Sequence, residues 1–257
     1  MNGMRVLVDG SEISSDGLAY LAAVNYGHFT AMQIWEGKVR SPAQHLERLR
    51  TAHAELYGTS IDVGNVQEQI RLAVAQAPDS YLRVTLFEPS RGQVTVMITL
   101  RPPVDAPTGP QSLLPVSYQR PMAHIKHVGS FAQIHFGQLA GAQGFSDALL
   151  TTDTGEVSET SIANIGFIRQ DSAVIWPSAP ALYGITWQAL DTAFAARGVT
   201  VLRQKVTLGD LSEFTGSFNA NSTGVTAVGS IGTYGFPDID SAERIRAVHD
   251  SLPWESF

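Results

Sequence analysis

The sequence contains no cysteine, which excludes disulfide bonds, thiolate nucleophiles and metal sites built on cysteine. Charge is also scarce, because charged residues make up 16% of the chain against a usual share of about 25%. The formal net charge is −7 and no basic run is present, so a nucleic-acid-binding protein with a basic patch is not expected. A surface with so few charges favours a chain that is partly covered by a second subunit.

Long apolar segments are missing as well. No run of about 18 apolar residues occurs, so no transmembrane helix is predicted. The N-terminal residues MNGMRVLVDG lack the apolar stretch of a secretory signal. With 257 residues, 44% of them hydrophobic, the chain can bury one or two cores. We therefore expect a globular, cytoplasmic protein with no membrane or nucleic-acid partner.

The proline-rich stretch Arg101–Ser112 is typical of a linker between two domains. We predict a first domain over 1–104, a linker over 105–115 and a second domain over 116–257. No internal repeat or low-complexity segment competes with this division.

Both predicted domains mix helices with strands. In the first, Ser41 can cap a helix with Gln44 completing a capping box, and Gly58 marks its end. Two β-rich runs joined by PSRG, at Tyr81–Glu88 and Gln93–Leu100, predict a hairpin. The second domain alternates less regularly and has no GxGxxG fingerprint. The pattern is typical of an α+β protein rather than a doubly wound one.

One of only three lysines, Lys126, lies between His124 and His127 in the stretch HIKHVGS. An amine attacks a carbonyl only when it is neutral, and a partly buried site or nearby positive charge favours that state. Lys126 is therefore a candidate nucleophile. On local features alone, an exposed surface lysine is the commoner interpretation.

Three further stretches suggest partners for such an amine. Glu159, thirty-three positions after Lys126 in GEVSETSIANIGF, precedes an apolar strand where a buried carboxylate needs a cationic partner. That partner could be an arginine or a protonated pyridine nitrogen. The helix start at Gly184-Ile185-Thr186 and the loop NANSTGVTAV could each bind a phosphate, although either could be an ordinary turn.

Taken together, these segments resemble the fold-type IV pyridoxal-phosphate enzymes, which include class IV aminotransferases and aminodeoxychorismate lyase. The resemblance is carried by an ordered set of motifs that spans most of the chain: HLERL (His45 to Leu49), YLRVTLF (Tyr81 to Phe87), IKH (Ile125 to His127), GEVSETSIANIGF (Gly155 to Phe167), GIT (Gly184 to Thr186) and NST (Asn221 to Thr223). It implies a two-domain α+β fold like that of D-amino acid aminotransferase, a homodimer and pyridoxal 5'-phosphate as cofactor.

The resemblance also implies roles for individual residues. Lys126 would form a Schiff base with the cofactor and shuttle the substrate proton, and Glu159 would pair with the pyridine nitrogen. The phosphate would be held by a set of cationic, hydroxyl and backbone groups: Arg48, Ile185, Thr186, Ser222 and Thr223. Substrate would be contacted by residues of the first domain: Arg83, Thr30 and His28. No metal is implied.

The implied reaction is transamination between an amino acid or amine donor and a keto acid or ketone acceptor. The alternative is aminodeoxychorismate lyase, which releases pyruvate to give 4-aminobenzoate. The dipeptide Lys126-His127 and the Phe29-Thr30 pair resemble the lyase branch. Many aminotransferases of this group have a tyrosine where this chain has Phe131.

Two other classes compete with this interpretation. His124 and His127 could hold zinc in a hydrolase, although their spacing is not a strong zinc pattern and no nearby carboxylate completes the site. Tyr183, Trp187 and Trp176 could form the aromatic surface of a binding module, although core packing explains them more simply.

Overall fold

A computed structural model describes residues 4–12 and 15–257 of the chain. The chain forms two compact units. The first runs to Asp105 and includes Ile125–Gly129 and Pro253–Phe257, and the second comprises Ala106–His124 and Ser130–Leu252. Among the described residues, no helix is long and apolar enough to span a bilayer.

The first unit is an antiparallel five-stranded sheet with helices. Its strands lie in the order β2-β1-β5-β4-β3. The elements are β1 (Arg5–Val8), β2 (Ser11–Glu12), α1 (Ser15–Val24), β3 (His28–Ile34), α2 (Pro42–Tyr57), α3 (Val63–Gln76), β4 (Ser80–Phe87) and β5 (Thr95–Arg101). The predicted hairpin is confirmed as the β4–β5 pair.

Alternation of side chains along the strands gives this sheet an apolar face. Buried residues from β3, β4 and β5 pack with α2 and α3 into one core. Its strand members are Met32, Ile34, Leu82, Val84, Leu86, Val96, Ile98 and Leu100. The residues between them, such as Phe29 and Arg83, belong to the opposite face, which is only partly buried.

The predicted start of α2 is wrong in its detail. Ser41 precedes the helix, but its backbone is left-handed, with φ at 57°, and its side chain makes no capping hydrogen bond. A capping box needs an extended backbone at the N-cap residue, so Ser41 and Gln44 do not form one. The predicted end is confirmed, since Gly58 is left-handed and donates to the Ala54 carbonyl.

The second unit is a nine-stranded mixed sheet with helices. Eight strands lie in the order β11-β10-β9-β12-β13-β6-β7-β8, and β14 pairs with β13. The elements are β6 (Gln111–Ser117), α4 (Phe131–Ala142), β7 (Asp147–Thr151), β8 (Val157–Thr160), β9 (Asn164–Arg169), β10 (Val174–Pro177), α5 (Ile185–Ala196), β11 (Val201–Gln204), a 3-10 helix (Leu208–Glu213), β12 (Phe214–Asn221), β13 (Gly224–Ile231), β14 (Tyr234–Gly235) and α6 (Asp240–Asp250).

The units differ from the predicted domain division in three places. The segment Pro253–Phe257, predicted to belong to the second domain, lies in the first unit. β6 begins at Gln111, inside the segment predicted to be linker. The short segment Ile125–Gly129, which carries Lys126, belongs to the first unit and not to the second. Its pairing partners lie almost a hundred residues earlier in the chain, and no local pattern reveals such a contact.

Gly27, just before β3, has no room for a side chain. A Cβ there would lie 2.9 Å from the Leu86 carbonyl oxygen and 3.2 Å from the Phe87 Cβ, so backbone would have to move. We expect Gly27→Ala to lower the free energy of unfolding by about 1–3 kcal/mol, measured by urea denaturation. Gly109→Ala is the control, because no atom lies within 4 Å of its Cβ position. Equal stability of the two variants would contradict this account.

Candidate active site

Lys126 lies on a short stretch of extended chain that pairs with the start of β3. The Phe29 N–H donates to the Lys126 carbonyl at 2.8 Å, and the Val128 N–H donates to the Gly27 carbonyl at 2.9 Å. His28 and His127 form the antiparallel bridge between these two bonds. The backbone of Lys126 is therefore fixed against the sheet of the first unit, while its side chain is only partly buried.

A second cation shares an aromatic ring with this lysine. The Lys126 Nζ lies 4.9 Å from the centroid of the Phe29 ring, and the Arg83 guanidinium carbon lies 3.6 Å from it. Burial lowers the pKa of Arg83 to about 10. Within the described part of the chain, its side-chain partners are that ring and the Thr85 hydroxyl, and no carboxylate is among them. A buried guanidinium without a carboxylate can bind an anionic ligand.

Arg48 adds a third positive charge to this region of the first unit. It lies one turn after His45 on α2, so the two residues are neighbours on the helix surface. Burial, and then the charges of Arg48 and Lys126, hold the pKa of His45 well below its ordinary value of 6.5. His45 is thus a neutral residue close to two cations. Its Nδ1 lies 2.6 Å from the Thr30 hydroxyl.

Thr30 and His28 are fully buried on the face of β3 that packs against α2. The His28 Nε2 lies 3.1 Å from Nδ1 of His53, whose Nε2 lies 3.0 Å from the Glu88 carboxylate. Burial, and then His53, lower the pKa of His28 to about 3. The burial of Thr30 and His28 favours a packing role for them over the predicted contact with substrate.

Glu159 is a buried residue of β8 in the second unit, and the apolar strand that it was expected to precede is β9. Its Oε1 accepts a hydrogen bond from the Arg120 Nε at 2.7 Å, and its Oε2 accepts one from the Leu182 N–H at 3.3 Å. The two bonds orient the carboxylate and give its charge a partner. Of the two cationic partners expected for Glu159, an arginine is present, and it is Arg120.

Helix α5 begins at Ile185 without a capping side chain. Gly184 precedes it in an extended conformation without a side-chain cap, and the first turn has no acidic residue. A Cβ on Gly184 would lie 2.1 Å from Oδ1 of Asn164, whose amide donates to the Leu182 carbonyl at 2.7 Å. Only glycine fits here. Uncapped N–H groups at a helix N-terminus attract anions.

The predicted NST loop is the tight turn of the β12–β13 hairpin. Asn221 pairs with Gly224, so Ser222 and Thr223 form a two-residue connection. The Thr186 hydroxyl donates to the Asn221 carbonyl at 2.7 Å, which brings this turn to the start of α5. The Thr223 hydroxyl donates to Asn221 Oδ1 at 2.7 Å, so its proton is already engaged. Four predicted phosphate-binding residues, Ile185, Thr186, Ser222 and Thr223, are thus brought together in the second unit.

Comparison with known proteins now identifies the family. A family model described as amino-transferase class IV matches residues 27–231, which is most of the chain. The chain belongs to the class IV aminotransferase family. No curated protein sequence matches the chain. The predicted fold-type IV architecture, the enzyme class and the pyridoxal phosphate cofactor of this family are confirmed.

Solved structures of class IV proteins share the fold at low sequence identity. A hypothetical aminotransferase from Mycobacterium tuberculosis, in its PLP-bound form, is 19% identical to this chain. The match covers 96% of this chain and 98% of that protein, with a TM-score of 0.84. It was also solved with α-ketoglutarate and PMP. A branched-chain aminotransferase from Thermoproteus uzoniensis with norvaline is 21% identical, with coverages of 97% and 94% and a TM-score of 0.83.

A third structure represents the other reaction. A putative 4-amino-4-deoxychorismate lyase from Legionella pneumophila is 21% identical, covers 89% of this chain and 93% of its own, and has a TM-score of 0.78. At such identities the likeness establishes the fold and does not separate the two reactions.

The residues of the class IV chain fit the chemical groups of pyridoxal phosphate. The first unit has an amine on an immobile backbone, with Arg48 nearby as a cation for a phosphate. The second unit has an oriented carboxylate in Glu159. It also has an uncapped helix N-terminus at Ile185, preceded by Gly184, where a side chain would clash with Asn164. No group of three or more histidine or acidic residues within the described ranges is arranged to hold a metal ion.

Sequence reasoning missed several residues that position these groups. Arg120 and Asn164 hold Glu159 and the segment before α5, and His45 contacts Thr30. His45 lies inside the motif HLERL and Asn164 inside GEVSETSIANIGF, so these motifs could have identified both residues. Arg120 lies outside every motif, and only the fold brings it to Glu159.

The buried histidines make the protein sensitive to acid. Folding holds the pKa values of His28, His45 and His53 below 6.5, so the unfolded chain binds more protons as the pH falls. We expect His28 and His45 each to remove about 1 kcal/mol of unfolding free energy over roughly the first pH unit below 6.5, with a further loss from His53. Chemical denaturation at several pH values measures this slope.

A variant tests the contribution of a single histidine. His28→Gln should make the pH dependence of stability shallower by one histidine's share, because Gln does not titrate. If His28→Gln keeps the full slope, His28 is not responsible for the acid sensitivity.

Proposed function

We propose that the protein is an aminotransferase that moves an amino group from an amino acid or amine donor to a keto acid or ketone acceptor. The observation that carries this proposal is the Lys126 side chain on its backbone-paired segment, with Arg83 over the same Phe29 ring and Arg48 nearby. Arg83 has no carboxylate partner among the described residues, and such a guanidinium beside an amine favours an anionic, carboxylate-bearing ligand. When bound, pyridoxal phosphate supplies an electron sink for the bond broken at the substrate α-carbon.

Lys126 has the central role in this proposal. Its amine would hold the cofactor aldehyde, and Nζ, once released, would move the proton of the substrate α-carbon to C4′ of the cofactor. The two backbone bonds at Phe29 and Val128 hold the lysine in place during these steps. A fixed base loses less entropy on reaching its proton than a mobile one does.

The remaining roles are proposed for each unit by itself. In the second unit, Glu159, held by Arg120, would pair with the pyridine nitrogen and keep its proton in place, and the N–H groups of Ile185 and Thr186 would donate to a phosphate. In the first unit, Arg48 would bind a phosphate as a cation. Ser222 contributes from the hairpin turn. The Thr223 hydroxyl is a weaker candidate because it already donates to Asn221.

Arg83 is proposed to bind the substrate carboxylate. Its guanidinium is largely desolvated and has no carboxylate partner within the described residues, so a substrate anion would relieve the cost of burying it. The α-ketoglutarate and norvaline bound to two structural relatives support a 2-keto acid acceptor and an amino acid donor.

Aminodeoxychorismate lyase is the second candidate. The Phe29-Thr30 pair resembles the lyase branch, and the Phe29 ring contacts both Lys126 and Arg83. One residue of the lyase-like pair thus lies next to the lysine. The two reactions use the same lysine and differ in whether the substrate loses a leaving group. The visible absorption of the purified protein with single amino donors separates them. An aminotransferase converts its cofactor with a donor, whereas a lyase shows no net conversion with any donor and releases pyruvate from aminodeoxychorismate.

Replacement of the lysine tests the assignment directly. We expect Lys126→Ala to lose the visible absorption band of the bound cofactor and all turnover, because no other amine is held in this position, while the far-UV circular dichroism is unchanged. Lys205→Ala is the control, since that exposed lysine pairs with Glu156 at the surface, and it should keep both. Turnover by Lys126→Ala with any amino donor would reject the assignment.

The proposed partner in solution is a second copy of the chain. Helix α4 contains no Asp, Glu, Lys or Arg, and its Phe131 and Ile134 are 81% and 57% exposed. Ile162, 71% exposed, follows Ser161, which lies beside Gly137 of the same helix. An exposed apolar surface of this kind is unusual on a monomer and typical of a protein interface. We propose that it is the homodimer contact.

A single charge on this surface should separate the subunits. We expect Ile134→Glu to shift the protein from dimer to monomer in sedimentation-velocity measurements, because a buried unpaired carboxylate is costly. Leu72→Glu changes an equally exposed apolar residue of α3 and should leave the dimer intact. A wild-type monomer, or an Ile134→Glu dimer as tight as wild type, would contradict the proposed contact.

A further inference from the structure

Two polar contacts interrupt the apolar interface between β3 and α2. On the face of β3 toward the helix, His28 and Thr30 are buried beside the apolar Met32 and Ile34. Each contacts one histidine of α2, His28 with His53 and Thr30 with His45. The two histidines are eight residues apart on the helix. Buried polar groups in such a core need a specific reason, because an apolar pair would pack without a desolvation cost.

The two contacts differ in what surrounds them. The Nε2 of His53 also contacts the Glu88 carboxylate, so the His28–His53 contact lies next to an acidic side chain. His45 lies one helical turn before Arg48 and within the electrostatic influence of both Arg48 and Lys126. Of the two histidines of α2, only His45 has a pKa that is lowered by the cations Arg48 and Lys126.

The Thr30–His45 contact connects the two elements that carry those cations. Arg48 belongs to α2, whereas the backbone of Lys126 is held by Phe29, the residue before Thr30. Two like charges on separate elements repel each other, and repulsion in a partly buried region is weakly screened. A neutral imidazole bonded to Thr30 fixes the helix to the strand without adding a third charge. A protonated or charged residue at the same position would add to the repulsion.

We propose that Thr30 and His45 are positioning residues that fix the Arg48 side of α2 relative to Lys126. This inference rests on the proposed roles of Arg48 and Lys126. It gives Thr30 a function through the helix instead of through direct contact with substrate. It also gives the histidine of the HLERL motif a function distinct from that of its arginine.

The test uses probes that report each cation separately in the cofactor-free full-length protein. Inorganic phosphate, titrated by calorimetry, reports Arg48. Pyridoxal without its phosphate, trapped with borohydride and mapped by mass spectrometry, reports the amine of Lys126. Thr30→Val removes the hydroxyl with little change of volume, and Thr30→Ser restores it. His53→Gln is the matched control, since Gln can keep the bond to Glu88 and lose the one to His28.

We expect Thr30→Val to weaken phosphate binding roughly tenfold, about 1.4 kcal/mol, with Thr30→Ser and His53→Gln staying within about twofold of wild type. Trapping of pyridoxal at Lys126 should slow in Thr30→Val alone. If Thr30→Val and His53→Gln lose similar thermal stability while both probes behave as in wild type, the contact is only structural and the inference is wrong. If wild type itself binds neither probe, the proposed function fails, and the inference that rests on it fails too.

Discussion

The candidate active site depends on the pairing of Lys126 and Val128 with the backbone at the start of β3. Two hydrogen bonds at 2.8 and 2.9 Å fasten the lysine to a sheet that is distant in sequence. The absence of a side chain at Gly27 allows the chain to pass close to Leu86 and Phe87 at the same place. This pairing places Lys126 where its charge lowers the pKa of His45 and its amine contacts the Phe29 ring. If the pairing shifted, each of these contacts would change.

Electrostatics explains why histidines are buried around this lysine. Arg48, Arg83 and Lys126 bring three positive charges to one unit, and their repulsion is tolerable only with neutral neighbours or an anion nearby. His45 meets the first condition, since burial and the two cations keep it uncharged. A phosphate and a substrate carboxylate would meet the second. The same arrangement that favours anionic ligands thus makes the folded protein vulnerable to acid.

The sequence allowed prediction of the cofactor chemistry and most elements, but not of the contacts that hold the site. Lys126 and Glu159 were recognisable because ordered motifs surround them, and the β4–β5 hairpin because its runs are strongly β-forming. The pairing of the segment Ile125–Gly129 with β3 and the Arg120–Glu159 ion pair depend on contacts distant in sequence, which local patterns do not encode. The direction in which Thr30 points depends on which face of the sheet is covered.

The two-residue turn at Ser222–Thr223 limits how this protein can diversify. Asn221 and Gly224 are paired, so an inserted or deleted residue would shift the register of β12 against β13 or force a bulge. The shift would also displace the Asn221 carbonyl that receives the Thr186 hydroxyl. The length of this turn is therefore constrained by the strands on both sides of it. Changes in substrate preference are expected from side-chain replacement here, or from segments elsewhere whose ends are not paired.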